Sequence, residues 1–135
     1  MSKNRTENPN IASGRIASLE KDEIFVFGSN LEGKHLGGAA KAAHNRFGAQ
    51  WGVGMGLTGK SYAIPTMQGG IETIKPYVDQ FIEYAKEHQE KKFLVTRIGC
   101  GIAGFKDEEI ASLFKKATSL KNVYLPISFL KVNKK

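Results

Sequence analysis

The chain has 135 residues, of which 41% are hydrophobic and 24% are charged, a balance typical of one folded domain that excludes a disordered chain. Its 20 Lys and Arg residues against 13 Asp and Glu give a net charge of +7, which favours anionic partners such as nucleotides or nucleic acid. The single cysteine excludes an intramolecular disulfide and a cysteine-based zinc cluster, and the histidines are too dispersed to predict a metal site, so we expect neither a metal nor a cofactor.

The N-terminal residues 1–10 are polar and contain a proline, which predicts a flexible arm before a single domain at 11–135. This arm lacks the apolar core of a secretory signal, and no apolar run in the chain approaches the roughly 20 residues of a membrane span. We therefore expect a cytoplasmic protein. At the start of the domain, residues 11–19 alternate partly between apolar and polar and predict an edge strand.

A strand, a glycine-rich loop and a helix are predicted next in direct succession. Residues 24–27 are an apolar run with β-branched and aromatic side chains, and an alanine-rich helix follows at about 38–47. Gly33, Gly37 and Gly38 leave backbone N–H groups without side chains where a helix has its positive dipole end, which predicts phosphate binding by main-chain donors. Alternatively, these glycines only form a tight turn that lets the helix pack closely on the sheet.

The segment 49–60 alternates glycine with larger residues, which is unfavourable for a helix or a strand interior. We predict a surface loop that can move over a ligand, with Trp51 and Met55 as covers. The alternative is a structural excursion in which Trp51 fills the core. A short strand follows at 61–64. It leads to a second loop at 66–73, which is expected to lie beside the ligand.

The rest of the chain alternates between helical and strand patterns. A helix is predicted at 74–88 with a proline in its first turn, then a strand at 93–98. A second amphipathic helix begins at 107 with acidic residues in its first turn, and a last strand covers 122–125. The basic segment that follows is expected to add an edge strand.

This order predicts an α/β fold, a three-layer α/β/α sandwich with a mostly parallel, mixed central sheet. Ligands of such sheets bind outside the carboxyl ends of the strands. Both glycine-rich turns, 28–38 and 99–104, follow a strand and precede a helix, so we expect them at the same edge. Together they would hold a diphosphate from two sides.

One motif in each of these turns carries a resemblance to a known family. Phe27-Gly28-Ser29-Asn30 precedes Leu36-Gly37-Gly38-Ala39-Ala40, and the second motif is Gly99-Cys100-Gly101-Ile102-Ala103-Gly104-Phe105. Over about 14–125 the chain resembles a macrodomain, the ADP-ribose-binding α/β/α module. Arg97-Ile98-Gly99-Cys100-Gly101 is especially similar to the branch that includes the terminal ADP-ribose protein glycohydrolase. The Phe-Gly-Ser-Asn opening also resembles a group of short phage and bacterial proteins.

The resemblance implies a role for each matched residue. Asn30 would contact the distal ribose, the loop before the helix would lie against that ribose and the adjoining phosphate, and the second turn would hold the diphosphate through backbone N–H groups. Phe105 would pack near the ribose. The residues predicted to bind the nucleotide are Gly28, Ser29, Asn30, Gly33, Gly37, Gly38, Ala39, Gly99, Cys100, Gly101, Ile102, Ala103, Gly104 and Phe105.

The chain departs from the family where the adenine base is read. Family members carry an Asp in a Gly-Asp-Ile pattern at the end of the first strand, and the comparable tripeptide here is Gly14-Arg15-Ile16. An arginine cannot accept a hydrogen bond from the adenine amino group, so either the base is read differently or the ligand is not adenine-based. Arg15 would then meet an extra phosphate or lie exposed on the surface.

The family's catalytic groups are not matched either. The glycohydrolase-like branch has an Asp where this chain has Ala103, and its nucleophilic Lys has no counterpart here. A different hydrolytic branch has an Asp where this chain has Ala40. If hydrolysis occurs, we predict His35 as the base or phosphate partner, together with Asn30; the alternative is a solvated loop histidine. Cys100 is either a nucleophile or a small packed residue.

Three functions follow as hypotheses. The first is binding of ADP-ribose or a related NAD-derived nucleotide, free or attached to protein or nucleic acid, with or without weak hydrolysis. The second is a de-ADP-ribosylating or phosphoesterase enzyme. The third is a basic nucleic-acid-binding protein, although the sequence lacks aromatic residues interleaved on a basic strand.

Overall fold

The computed structural model describes residues 11–12, 16, 18–35, 38–99 and 103–133. The predicted arm at 1–10 lies outside these residues. The strands of the described chain are β1 (Ile11–Ala12), β2 (Glu23–Ser29), β3 (Gly56–Thr58), β4 (Ser61–Pro65), β5 (Lys92–Val95) and β6 (Val123–Pro126). Its helices are α1 (Gly38–Arg46), α2 (Ile71–Glu87), α3 (Asp107–Ala111), which continues as a 3-10 helix (Ser112–Ser119), and α4 (Ile127–Asn133).

The strands form one six-stranded sheet in the order β1-β6-β5-β2-β4-β3. All neighbours are parallel except β3, which pairs antiparallel with β4. Such a sheet needs helical cover on both faces, because its parallel strands are joined by crossovers that pass over it. The predicted α/β sandwich with a mostly parallel, mixed sheet is confirmed.

Alternate side chains of β2 enter two separate hydrophobic cores. Phe25 and Phe27 pack on one face against the alanine-rich side of α1. Ile24 and Val26 pack on the other face in a larger core with α2, α3, the 3-10 helix and α4. Because strand side chains alternate between faces, this single strand anchors both layers of helices. No helix of the described residues is long and apolar enough to cross a membrane.

The glycine-rich segment 49–60 is more ordered than expected. It contains β3, so the prediction of a loop throughout is wrong at 56–58. Trp51 is 52% exposed and Met55 is 48% exposed, so the alternative in which Trp51 fills the core is also wrong. Glycine alternation argued against a strand, but three residues at the sheet edge need only the backbone pairing that β4 supplies.

Several boundaries differ from the sequence prediction. Within the predicted edge strand at 11–19, the described residues form only the short β1. Helix α2 begins at Ile71, so Pro76 lies inside the helix and not in its first turn. Strand β5 ends at Val95, three residues early. The C-terminal segment forms α4 and not the expected edge strand, since Phe129 is buried in the larger core while β1 occupies the edge beside β6.

Candidate functional site

The central pair of strands, β2 and β5, is the point where the chain changes direction across the sheet. They are parallel neighbours, and β2 leads through α1 toward β4, whereas β5 leads through α3 toward β6. Helices α1 and α3 also pack on opposite faces of the sheet. The two connections therefore separate at the carboxyl ends of these strands and leave a crevice, which is the usual ligand position in open α/β sheets.

A cavity of about 490 Å³ occupies this crevice. Of the residues predicted to bind the nucleotide, those that line it are Gly28, Ser29, Asn30 and Gly38 from the first turn, Ala39 from the start of α1, and Gly99 and Ala103 from the second turn. Residues of two turns about 70 positions apart in the chain thus meet at one cavity. This volume lies within the usual range for small-molecule sites.

Of the other predicted residues, Gly37, Cys100, Gly101 and Ile102 are outside the described residues.

Three of the predicted nucleotide-binding residues that the structure describes do not line this cavity. Gly33 is buried within the first turn, Gly104 is exposed, and Phe105 is partly buried against the larger core. The backbone N–H of Phe105 donates to the carbonyl of Gly99 at 2.7 Å, which closes the second turn.

Asn30 closes the first turn with its side-chain amide. Its Oδ1 accepts a hydrogen bond from the N–H of Lys34 at 3.1 Å, and its Nδ2 donates to the Lys34 carbonyl, also at 3.1 Å. The N–H of Gly33 donates to the Asn30 carbonyl at 2.9 Å. A carboxamide has two acceptor sites and two donors, so Asn30 keeps capacity for one further hydrogen bond of each kind while it holds the turn.

The first turn packs against the glycine-rich segment 49–60. A Cβ on Gly54 would lie 1.9 Å from the carbonyl oxygen of Asn30, and one on Gly33 would lie 2.3 Å from the backbone of Gly52. The N–H of Gly52 donates to the Gly33 carbonyl at 3.0 Å, and the hydroxyl of Ser29 donates to the Gly54 carbonyl. Backbone therefore packs on backbone here, which explains the glycines at positions 33 and 54.

His35 supports the same turn from inside. Its side chain is buried at 2% exposure, so the expectation of a solvated loop histidine is wrong. Nε2 lies 2.8 Å from the carbonyl of Gln50, and because a carbonyl only accepts, this nitrogen carries the proton. The ring packs edge-on against Phe27 at 5.5 Å and against Trp51 at 6.1 Å. His35 is not among the described residues of the cavity wall.

Two basic side chains of the cavity wall, Arg97 and Lys34, were not predicted as site residues. Arg97 is the second residue after β5, and its Nη2 lies 2.8 Å from Oδ1 of Asp107 at the start of α3. Lys34 lies 3.7 Å from Glu32 at the surface. The polar pair Thr96-Arg97 at the end of an apolar strand was the sequence signal for this part of the site.

A second cavity of about 720 Å³ adjoins the first. The two share Gly38, Ala39, Thr96 and Arg97, which we call the junction. Here the first residues of α1 face the end of β5. The first N–H groups of a helix have no partner within the helix and lie at its positive dipole end. The junction therefore combines main-chain donors with a guanidinium.

Within the described part of the chain, no group of three or more His, Cys, Asp or Glu side chains is placed to hold a metal ion. The chain was compared with protein-family models, with curated proteins and with solved structures, and no match was found in any of them. The macrodomain resemblance therefore stays a prediction that depends on the motifs in the two turns.

Proposed function

We propose that the chain binds ADP-ribose or a related NAD-derived nucleotide, either as a free molecule or attached to a macromolecule. The observation that carries this proposal is that the ends of β2 and β5 and the turns after them line one cavity at the carboxyl edge of the sheet. The motif resemblance assigns both turns to the nucleotide, and their meeting at one cavity is what such a ligand requires.

The junction is the proposed position of the diphosphate. Main-chain N–H groups suit a charge that is spread over several oxygens, and α1 has its N-terminus there. Arg97, which donates to Asp107, adds a guanidinium to the junction, and the planar shape of this group suits a phosphate. The excess of basic residues in the chain favours the same partner.

The ribose beyond the diphosphate would occupy the first cavity beside Asn30 and Thr66. Asn30 holds the turn and keeps one donor and one acceptor for a hydroxyl. The described residues that line this cavity are neutral or basic. They include neither a carboxylate nor an imidazole that could act as a general base. The proposal is therefore binding and not hydrolysis.

Titration calorimetry with ADP-ribose, its phosphorylated and cyclic relatives, NAD and simple nucleotides tests this proposal. We expect a diphosphate nucleotide to bind with a micromolar dissociation constant, and no binding of any of these compounds at millimolar concentration would contradict the proposal.

Ala39→Glu tests whether the nucleotide binds at the junction. Ala39 lies in the first turn of α1 and lines both cavities, so the new carboxylate suits the helix dipole while it repels a phosphate. We expect affinity to fall at least about tenfold, roughly 1.4 kcal/mol. Asn45→Glu makes the same charge change at an exposed position of α1 outside both cavities and should leave affinity within about twofold.

A further inference from the structure

Trp51 is a large aromatic side chain that the proposed nucleotide site leaves unused. It is 52% exposed, and it is not among the described residues that line either cavity. It is also the only tryptophan of the chain. A half-exposed indole keeps apolar surface that a flat partner can cover, and stacking of a nucleobase is one such contact. A partner for this exposed surface therefore lies outside the two cavities.

Two imidazole rings hold the indole in a fixed orientation. Trp51 packs at 80° to the ring of buried His35, with centroids 6.1 Å apart, and at 65° to the ring of His44, with centroids 5.6 Å apart. Each imidazole is fixed in turn by a backbone carbonyl, that of Gln50 at 2.8 Å for His35 and that of Ala49 at 2.9 Å for His44. A ring that is fixed before binding loses little conformational entropy when a base stacks on it.

The range of the chain around the indole has no acidic residue. Residues 33–71 include four Lys and Arg residues and no Asp or Glu, although the chain has 13 acidic residues in total. Lys41 and His44 are exposed three positions apart on α1, so they share one face of the helix, and His44 contacts the indole. Glu32, just before this range, lies 3.7 Å from Lys34. The range presents basic and neutral side chains, which complement a phosphate chain.

An aromatic ring beside basic side chains is the usual arrangement of sites for single-stranded nucleic acid. Every base has a flat face that can stack on the ring, while the basic side chains bind phosphates. A duplex is a poorer partner because its bases already stack on each other. A protein partner would find no carboxylate within residues 33–71 for its own basic side chains, whereas a nucleic acid needs none.

We propose that Trp51 and the neighbouring exposed face of α1 bind single-stranded nucleic acid, with one base stacked on the indole and one phosphate at Lys41. The indole supplies contact with the base, and the lysine supplies attraction that does not depend on the base. This site is separate from the two cavities, so the inference does not rest on the proposed nucleotide binding.

Fluorescence of the single tryptophan measures this contact directly, because a base that stacks on an indole quenches its emission. The probes are oligomers of deoxythymidine and of uridine, each about 12 nucleotides long, and a deoxyribose-phosphate oligomer of the same length without bases. We expect saturable quenching by at least one of the first two, with a micromolar dissociation constant at low salt. The oligomer without bases should not quench, and in competition it should bind at least about tenfold more weakly.

Four variants separate stacking from charge, with the anisotropy of a labelled oligonucleotide as the measure. Trp51→Ala should weaken binding at least about tenfold, whereas Trp51→Phe, which keeps an aromatic ring, should stay within about threefold of the unaltered chain. Lys41→Gln should reduce the slope of log affinity against log salt by about 0.7, the share of one phosphate on a single strand. Lys115→Gln should change neither quantity, because this exposed lysine belongs to the 3-10 helix on the opposite face of the sheet from α1.

The outcomes also separate this proposal from the nucleotide site. No binding of either oligonucleotide, equal binding of the oligomer without bases, or unchanged affinity in Trp51→Ala would overturn it and leave the ADP-ribose titration unaffected. If the oligonucleotides do not bind and the tryptophan emission changes with the concentration of the chain alone, the surface is a contact between copies of the chain and the proposal is wrong. The comparison with the oligomer without bases uses the unaltered chain, so it decides the question even if Trp51→Ala does not fold.

Discussion

Gly54→Ala tests whether the glycine-rich segment fixes the position of the first turn. The added Cβ would lie 1.9 Å from the Asn30 carbonyl oxygen and 2.8 Å from the Leu31 Cα, whereas ordinary contacts begin near 3.4 Å. The two backbones must therefore separate by about 1.5 Å. Overpacking of this kind costs roughly 1–3 kcal/mol, and a strained Ser29 hydrogen bond adds about 1 kcal/mol, so we expect a loss of about 3 kcal/mol.

Urea unfolding measures that loss. With a denaturant slope of about 2 kcal/mol/M, the midpoint should fall by about 1.5 M. Gly52→Ala is the matched control, because its Cβ would meet no atom within 4 Å and only its φ of +91° is unfavourable, which costs about 1–2 kcal/mol. ADP-ribose affinity should fall more in Gly54→Ala than in the control. A smaller stability loss for Gly54→Ala than for Gly52→Ala would refute this reasoning.

Three further predictions concern the contribution of buried side chains to stability. Phe81→Ala removes a fully buried ring that packs edge-on against Phe93 at 5.5 Å, and calorimetric unfolding should show a loss of about 3–5 kcal/mol. His35→Ala should cost about 2–4 kcal/mol in urea unfolding, since it removes a buried ring and its hydrogen bond; an unchanged midpoint would argue against the supporting role. Burial, and after it the neighbouring Tyr84, raises the pKa of Tyr62 from 10 to about 12. The folded chain then keeps a proton that the unfolded chain loses, so stability should fall between about pH 10 and pH 12, and Tyr62→Phe should reduce that fall.

The layers of the fold could be predicted from the sequence because their signals are local. The apolar run of β2 and the alanine spacing of α1 each specify one element, and the order of elements then specifies a parallel sheet. The start of α2 was missed because Pro76, a typical first-turn residue, lies inside the helix. The end of β5 was missed because the Thr96 hydroxyl and N–H both bind the Val26 carbonyl, where the chain turns away.

The two turns of the site were predictable, and their side-chain partners were not. Glycines after strands indicate main-chain donors wherever they occur. The pairing of Arg97 with Asp107 depends instead on how α3 returns to the sheet, which no local pattern specifies. The same holds for His35, whose Gln50 partner belongs to a segment that the sequence suggested was a mobile loop.

The central claim is that one ligand contacts both turns at once, and an NMR titration with ADP-ribose tests it most directly. Backbone amide signals of Asn30 in the first turn, Ala39 at the start of α1, Arg97 after β5 and Ala103 in the second turn should shift with the same dissociation constant. Signals of α2 residues such as Asp79, which lines neither cavity, should stay in place. Shifts confined to one turn, or two turns that respond with different dissociation constants, would contradict a shared nucleotide site.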